Sequence, residues 1–536
     1  MAIEYDEKRF EKDIHSYMLE HGGYLKGDMC TYDKEKAIDM DKLITFIKNT
    51  QPKTWSRFEK QCNFDVEKKF YKVLNDEIDE YGLIHVLRHG FKYRGIKFLI
   101  AYFKPESNLN DDLWGLYNQN ILTSTRQFYY STDNKNSVDM VLSLNGIPIV
   151  SLELKDQLTG QSVENAKTQY MYDRNPKELC FQFNKRILVH FAVDLYEVYM
   201  TTKLDGKKTF FLPFNQGSNG AGNDGGAGNP ANEYGYTTSY LWEKVLIKDS
   251  LLEILQKYIH LQVDEEKEIK NGKEVKAIKK KIIFPRYHQL DVVSKIVDDV
   301  KTRGSGKNYL IQHSAGSGKS NSIAWTSYRM ANLHDENNKP IFSSVIVITD
   351  RKVLDDQLQK TISGFDHTPG LVETIGEKKT SRDLRDAIND GKKIIITTLQ
   401  KFPVIYQEVE STTGRNFAVI VDEAHTSQTG NSALKLKKAL ADTDEALKEY
   451  AEIEGKAEEE ILDGEDLLVK ELLAHGRHKN LSFFAFTATP KEKTLEMFGI
   501  EYEEGRFKPF HVYSMRQAIE EGFILDVLKN YMTYKT

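Results

Sequence analysis

Cysteine is scarce in this chain. There are three in 536 residues, Cys30, Cys62 and Cys180, an odd number without metal-ligand spacing. That excludes a disulfide framework and a thiolate zinc site and fits a cytoplasmic protein with reduced thiols. Long apolar runs are missing too. None approaches the roughly 18 to 20 residues a membrane span needs, so neither a transmembrane helix nor a membrane partner is expected. The opening MAIEYDEKRFEKD is charged from Glu4 onward and lacks the apolar stretch of a secretory signal. Positive charge is not in excess: 74 Lys and Arg against 80 Asp and Glu leave a net charge of -6. Any contact with nucleic acid therefore has to come from local basic patches. No internal repeat is visible.

What is present is material for several soluble domains. Hydrophobic residues make up 40% and charged residues 29%, and the length suggests two to four domains at about 100 to 200 residues each. Phe10, Ile14, Tyr17 and Met18 recur at helical spacing and stop at Gly22-Gly23, predicting a first helix. Short apolar runs from about 83 to 155, with further ones at "RILVHFAV" and "LYEVYMTT", predict one α/β domain over 1–260. Within it "NQGSNGAGNDGGAGNPANEYG", 215–235, reads as a long surface loop. Residues 261–283 are a charged segment, either a solvated linker or hairpin, or a phosphate contact through Lys279 to Lys281. Over 284–516 apolar strands alternate with helical stretches, the pattern of a parallel sheet with crossover helices. An acidic, Ala/Leu/Lys/Glu-rich helical insertion is expected at about 431–480.

Two stretches of the second domain carry chemistry. "LIQHSAGSGKSNSIAW" sets Gly316, Ser317, Gly318, Lys319 and Ser320 between a strand and a helix, the setting of a phosphate loop. Glycine backbone N–H groups can wrap phosphates there, aided by the helix N-terminus. Lys319 would hold the β- and γ-phosphates and Ser320 a Mg²⁺ ion. The strict GxxxxGK[ST] pattern fails at its first glycine, where His313 stands. About a hundred residues on, "AVIVDEAH" ends an apolar strand in Asp422, suited to Mg²⁺, and Glu423, suited to deprotonating a water.

These motifs resemble a superfamily 2 helicase-type ATPase, and others follow in that family's order. "FPRYHQ" (Arg286, Gln289) is similar to its adenine-recognition motif. "ITDRKVLDDQ" (Arg351) and "ITTLQKF" (Thr398, Gln400) are similar to its DNA-touching segments, and "FTATP" (Thr487, Thr489) to its coupling motif. The resemblance places His425 beside the nucleotide as well. As isolated residues, Thr398 and Gln400 suit turn caps as readily as phosphate contacts.

The first domain holds a third pattern, "SVDMVLSLNGIPIVSLELK". It resembles the PD-(D/E)xK nuclease core, with Val138 in place of the proline. Asp139 and Glu153 would ligate Mg²⁺, and Lys155 would position or deprotonate the nucleophile. Glu153 and Lys155 share a strand face. A two-residue Asn145-Gly146 turn alone would pair Asp139 with residue 152 and send Glu153 to the other face, so an odd loop or a bulge is required. Leu144-Asn145-Gly146 suits a three-residue loop with Gly146 left-handed.

End to end, "RFEKDIHSYMLEHGGY", "NGIPIVSLELK", "LPFNQGSNGAG", "QHSAGSGKS", "DEAHTSQTG" and "AIEEGFILDVLKNY" resemble the N-terminal half of the R subunit of a type I restriction enzyme. The resemblance implies an ATP- and Mg²⁺-dependent translocase on double-stranded DNA whose nuclease cuts away from the recognition site. It implies modification and specificity subunits as partners. It adds Glu11 as a first-helix acid at the nuclease metal, and a Gln-x-x-x-Tyr element at "KTQYMYDRN", where Gln169 is followed by Asp173 at the tyrosine's place. Gln169 is equally readable as a plain polar helix position. Residues 517–536 would begin a connection to a second lobe, so this chain alone should bind ATP yet hydrolyse it slowly. Rival readings are a standalone repair helicase-nuclease, which would act without partners, and an ATP-controlled DNA-binding scaffold with an inactive nuclease.

Overall fold

The structure is a computed structural model that describes residues 7–62, 64–106, 110–270, 273–349, 358–362, 370–375, 379–398, 414–422 and 479–525. Glu423, His425, Arg351, Gln400 and nearly all of the 431–480 insertion lie outside the described residues. The chain forms two compact units, one of residues 1–215 and 228–286, the other of 216–227 and 287–536. Among the described residues no helix is long and apolar enough to cross a membrane.

The first unit begins with helix α1 (Glu7–Glu20), whose Phe10, Ile14 and Met18 form one buried stripe. Its sheet has seven strands that lie in chain order: β1 (Leu25–Lys26), β2 (Leu122–Tyr129), β3 (Ser137–Leu144), β4 (Ile147–Leu154), β5 (Val189–Val193), β6 (Val198–Thr201) and β7 (Leu212–Pro213). β2, β3 and β4 form an antiparallel meander, and β4 runs parallel to β5. A parallel neighbour needs a crossover, and helix α2 (Val163–Tyr172) supplies it, packing Val163, Ala166 and Tyr170 inward. β3 and β4 are buried on both faces except at Ser137, which is why their sequences are mostly apolar. Their few charged groups therefore stand in the core.

The charged segment after 260 is a β-hairpin, β8 (His260–Lys270) against β9 (Lys273–Ile283), paired from His260↔Ile283 to Lys270↔Lys273. Acid faces base across it at Asp264↔Lys279, the kind of cross-strand pair that favours pairing.

In the second unit, helix α3 (Tyr287–Arg303) precedes β10 (Tyr309–His313), helix α4 (Lys319–Ala331), and strands β11 (Ser344–Thr349), β12 (Val372–Ile375), β13 (Ile394–Thr398), β14 (Phe417–Asp422), β15 (Leu481–Thr487) and β16 (His511–Tyr513). The sheet order is β12-β13-β11-β14-β15-β10-β16, with all pairings parallel. Leu310, Ile346, Ile395, Val419 and Phe483 form a core under this sheet with Leu384 and Ile388. The short helix α5 (Met515–Glu520) follows β16.

The Gly/Asn-rich segment is a loop without regular secondary structure, exposed or part-exposed at most positions as expected, but it is anchored rather than loose. Residues 216–227 belong to the second unit as a strap along β16. Val512 N donates to Gly222 O (2.9 Å), Ser514 Oγ to Gly225 O (2.6 Å) and Ala227 N to Glu520 Oε2 (2.7 Å). Glycine is required at 222, where φ is +83° and a Cβ would stand 2.9 Å from His511 Cδ2.

Candidate functional site

Asn145 (φ 50°) and Gly146 (φ 83°) are both left-handed and make a two-residue turn, closed by Leu144↔Ile147. The expected three-residue loop is not formed. Parity is restored instead by a β-bulge: Ser143 pairs with Pro148 but Leu142 with Val150, leaving Ile149 as an extra residue. Pro148 has no N–H to give the ladder, and a proline inside a sheet is at home beside a bulge. Beyond it Val141 faces Ser151 and Met140 faces Leu152, a register that sets Asp139 opposite Glu153. One inserted residue thus puts both acids on the face covered by α2.

Asp139, Glu153 and Lys155 are all buried. Asp139 Oδ2 accepts from Leu154 N (2.7 Å) and lies 3.7 Å from Lys155 Nζ, which also donates to Leu154 O (2.9 Å). Glu153 Oε1 accepts from Arg174 Nε at 2.6 Å, and Glu153 Oε2 is buried with no hydrogen-bond partner. Burial, then repulsion from Asp139, pushes the Glu153 carboxyl up to about 8, with Arg174 pulling the other way. A fully buried carboxylate facing another, with one oxygen unsatisfied, is a place that calls for a cation. Among the described residues no group of three or more His, Cys, Asp or Glu is clustered as a metal cage. Asp139 and Glu153 could hold Mg²⁺ through two carboxylates, since this ion commonly keeps several of its waters.

Behind Glu153, Ser151 Oγ binds Tyr170 OH (2.8 Å) and His190 Nδ1 (2.7 Å), and burial holds His190 neutral, at about 3. Gln169 Oε1 is buried without a hydrogen-bond partner. The buried tyrosine of this element is Tyr170, whereas Tyr172 is exposed. Glu11 is not brought to the two acids. Arg126 and Gln127 take its two oxygens, and Arg126 pairs with Met140, one residue off Asp139 and so on the opposite sheet face.

Sequence reading missed Arg174. The signal was there, because Val163, Ala166, Tyr170 and Arg174 continue one helical stripe.

In the second unit the phosphate loop leaves β10 with Gly316 (φ 73°) and Gly318 (φ 75°) left-handed, and α4 starts at Lys319. Gln289 Nε2 donates to Ser317 O (3.1 Å) and Gly318 O (3.0 Å), and His288 Nε2 to Ser317 O (2.9 Å). These bonds tie the Ser317 and Gly318 carbonyls of the loop to α3. Lys319 and Ser320 are half-buried. Arg286 is buried as the last residue of the first unit. Asp422 ends β14 opposite Phe486, beside Thr487, which pairs with Gln312 of β10. Thr398 ends β13 opposite Thr349. The phosphate loop, Thr398, Asp422 and Thr487 thus share the C-terminal edge of a parallel sheet, where such folds bind ligands. Thr489 is exposed just past it.

Such a lobe, joined to a sheet with paired core acids, defines the class: an ATPase lobe of helicase type carried with a second α/β domain. Residues 288–445 match the family model described as SWI2/SNF2 ATPase, and residues 30–209 the one described as Type I restriction enzyme R protein N terminus. In both stretches the chain is similar to the R subunits of type I restriction enzymes. It is 25% identical over 443 residues to the MjaIXP endonuclease subunit of Methanocaldococcus jannaschii, covering 79% of this chain and 40% of that one. It is 26% identical over 270 residues to the HindI endonuclease subunit of Haemophilus influenzae, covering 47% of this chain and 21% of that one. The chain therefore spans less than half the length of these relatives. An HsdR fragment structure from Vibrio vulnificus overlaps at 16% identity and a TM-score of 0.27, over 75% of this chain and 56% of that one.

Proposed function

We propose that the first unit is a Mg²⁺-dependent PD-(D/E)xK endonuclease and the second the first lobe of an ATP-driven translocase on double-stranded DNA. Assembled with modification and specificity subunits, the enzyme would turn ATP hydrolysis into DNA movement and cut away from the recognition site. The observation that carries this reading is the bulge-set register that puts Asp139 opposite Glu153, with Lys155 Nζ 3.7 Å from Asp139.

Asp139 and Glu153 hold the metal, and the Leu154 N–H fixes which way Asp139 points. Bound Mg²⁺ would neutralise charge on the scissile phosphate and lower the pKa of a water. Lys155 orients that water or takes its proton. In the lobe, Lys319 meets the β- and γ-phosphates, Ser320 and Asp422 serve the nucleotide's Mg²⁺, and Thr398 and Thr487 lie on the DNA and coupling side. Glu423 and His425 complete this set on the resemblance alone.

The test is co-purification with the other subunits, followed by ATP-dependent cleavage of unmethylated and methylated DNA. Cutting of unmethylated DNA alone, lost in Asp139→Ala, is expected. Cutting by the chain without partners would sink the assembly. A second reading, an ATP-controlled DNA-binding scaffold with a silent nuclease, draws on Arg174 already occupying Glu153. Cleavage in the assembled enzyme excludes it.

A further inference from the structure

Arg174 follows α2 by two residues, and its side chain is 4% exposed. Nε donates to Glu153 Oε1 at 2.6 Å and Nη2 to Ser137 O at 2.8 Å, and the guanidinium carbon stands 5.9 Å from the centre of the Tyr130 ring. The guanidinium thus spans from the first residue of β3 to the end of β4, past the facing pair Asp139 and Glu153.

Charge decides what this contact means. Asp139 and Glu153 bring two negative charges into the core, and Lys155 and Arg174 bring two positive ones. With Glu153 ionised, as a metal ligand must be, these four charges cancel only with Arg174 engaged. A divalent ion added with Arg174 still on Glu153 would leave a buried excess of positive charge, which a low-dielectric interior penalises. Glu153 Oε1 is also the oxygen that, with the unsatisfied Oε2, a metal would use. Lys155 cannot fill the same role, because it is tied to Asp139 and to Leu154 O.

We propose that Arg174 is the resident cation of this pocket. It holds Glu153 in place while no metal is present and gives up Oε1 when a divalent ion binds, so that ion and guanidinium compete for one carboxylate. This rests on the metal-dependent nuclease reading. Arg174 is a positioning residue, set by the exchange it must undergo rather than by contact with DNA.

The test titrates Ca²⁺ without nucleotide into the full chain by calorimetry, for wild type, Arg174→Gln, Arg174→Lys and Asp139→Asn, with thermal melts with and without Ca²⁺. Arg174→Gln should melt lower than wild type without metal yet bind Ca²⁺ more tightly, by roughly tenfold, the effect of removing about 1.4 kcal/mol of competition. Ca²⁺ should restore much of its melting temperature. Arg174→Lys, a cation with a different donor geometry, should lie between, which keeps the test sound if the glutamine variant folds poorly. Equal or weaker Ca²⁺ binding by folded Arg174 variants, beside clear wild-type binding, overturns the proposal and leaves the nuclease reading intact. Absence of any Asp139-dependent Ca²⁺ binding in wild type and variants alike overturns the nuclease reading and this proposal with it.

Discussion

His313 donates a hydrogen bond from Nε2 to Nδ1 of His511 across 2.9 Å, and Asp291 sets its direction. The Asp291 carboxylate can only accept, so His511 Nε2 carries a proton toward it at 3.0 Å. In the neutral ring Nδ1 is then an acceptor, and His313 Nε2 must be the donor. Asp291 is in turn paired with Lys295 at 2.7 Å, whose Nζ donates to Ala221 O of the strap at 2.9 Å. A chain of polar contacts therefore runs from the root of the phosphate loop to the strap, buried at His313 and His511 and exposed at Lys295. It accounts for a histidine standing where the strict loop pattern has glycine.

Acid should weaken the second unit through this chain. Burial holds His511 below its ordinary pKa. For Asp291, burial would act upward, but His511 and Lys295 outweigh it and keep the carboxyl low. Both groups bind protons less readily folded than unfolded: the His511 contribution is full above its unfolded value near 6.5 and is lost as pH falls below it, whereas the Asp291 contribution is lost only below about 4. His511→Gln should be less stable at pH 8 and show a shallower loss on acidification. Urea melts between pH 8 and 5 measure both, and an unchanged slope would remove His511 from the account.

Asp139→Ala or Lys155→Ala should cut DNA cleavage by the assembled enzyme by at least roughly 10²- to 10³-fold, the scale seen when one transition-state-stabilising group is removed. ATP turnover should persist, because the two sites lie in different units. Parallel cleavage and phosphate-release assays decide it. Loss of both activities in a folded variant argues against separate sites.

Lys319→Ala should weaken ATP binding by about 1.5 to 3 kcal/mol, the worth of a hydrogen bond to a charged group, and stop cleavage of unmodified DNA as well. A fluorescent ATP analogue reads the first effect and a plasmid assay the second. Undiminished cutting would uncouple the nuclease from the motor.

Gly222→Ala places a Cβ against His511 at a left-handed φ of +83°. A cost of roughly 1 to 2 kcal/mol for the backbone alone is expected, visible as a lower melting temperature. Gly228, also left-handed but with open space around it, should show the backbone part only. Equal shifts at the two positions would mean the strap does not press on His511.

How far the sequence could be read differs by feature. The stripe Phe10, Ile14, Met18 of α1 is a local periodicity, and the structure buries all three. The parallel strands of the lobe were visible as apolar runs, but their order depends on crossovers that no local pattern encodes. The facing acids needed an odd residue somewhere between Asp139 and Glu153. A glycine after Asn145 pointed to the turn, while the bulge at Ile149 leaves no stronger local mark than Pro148. Arg174 lay on a readable stripe, one residue past the place where the resemblance implies a tyrosine. Glu11 failed because which sheet face a helix covers is a tertiary fact. The strap reads as flexible because its partners stand nearly 300 residues away, Ala227 and Glu520 being 293 apart.

That separation sets a timetable for synthesis. The strap leaves the ribosome long before Val512, Ser514 and Glu520 exist, by roughly 15 to 60 s at about 5 to 20 residues per second over those 293 residues. During the interval the first unit can close through Arg286 while its own interior segment 216–227 waits as an unpaired loop. A waiting segment of glycine, asparagine and serine exposes little apolar surface and is a poor β-aggregation template. The composition that looked like a want of structure is what lets this piece of the second unit arrive early without misassembling.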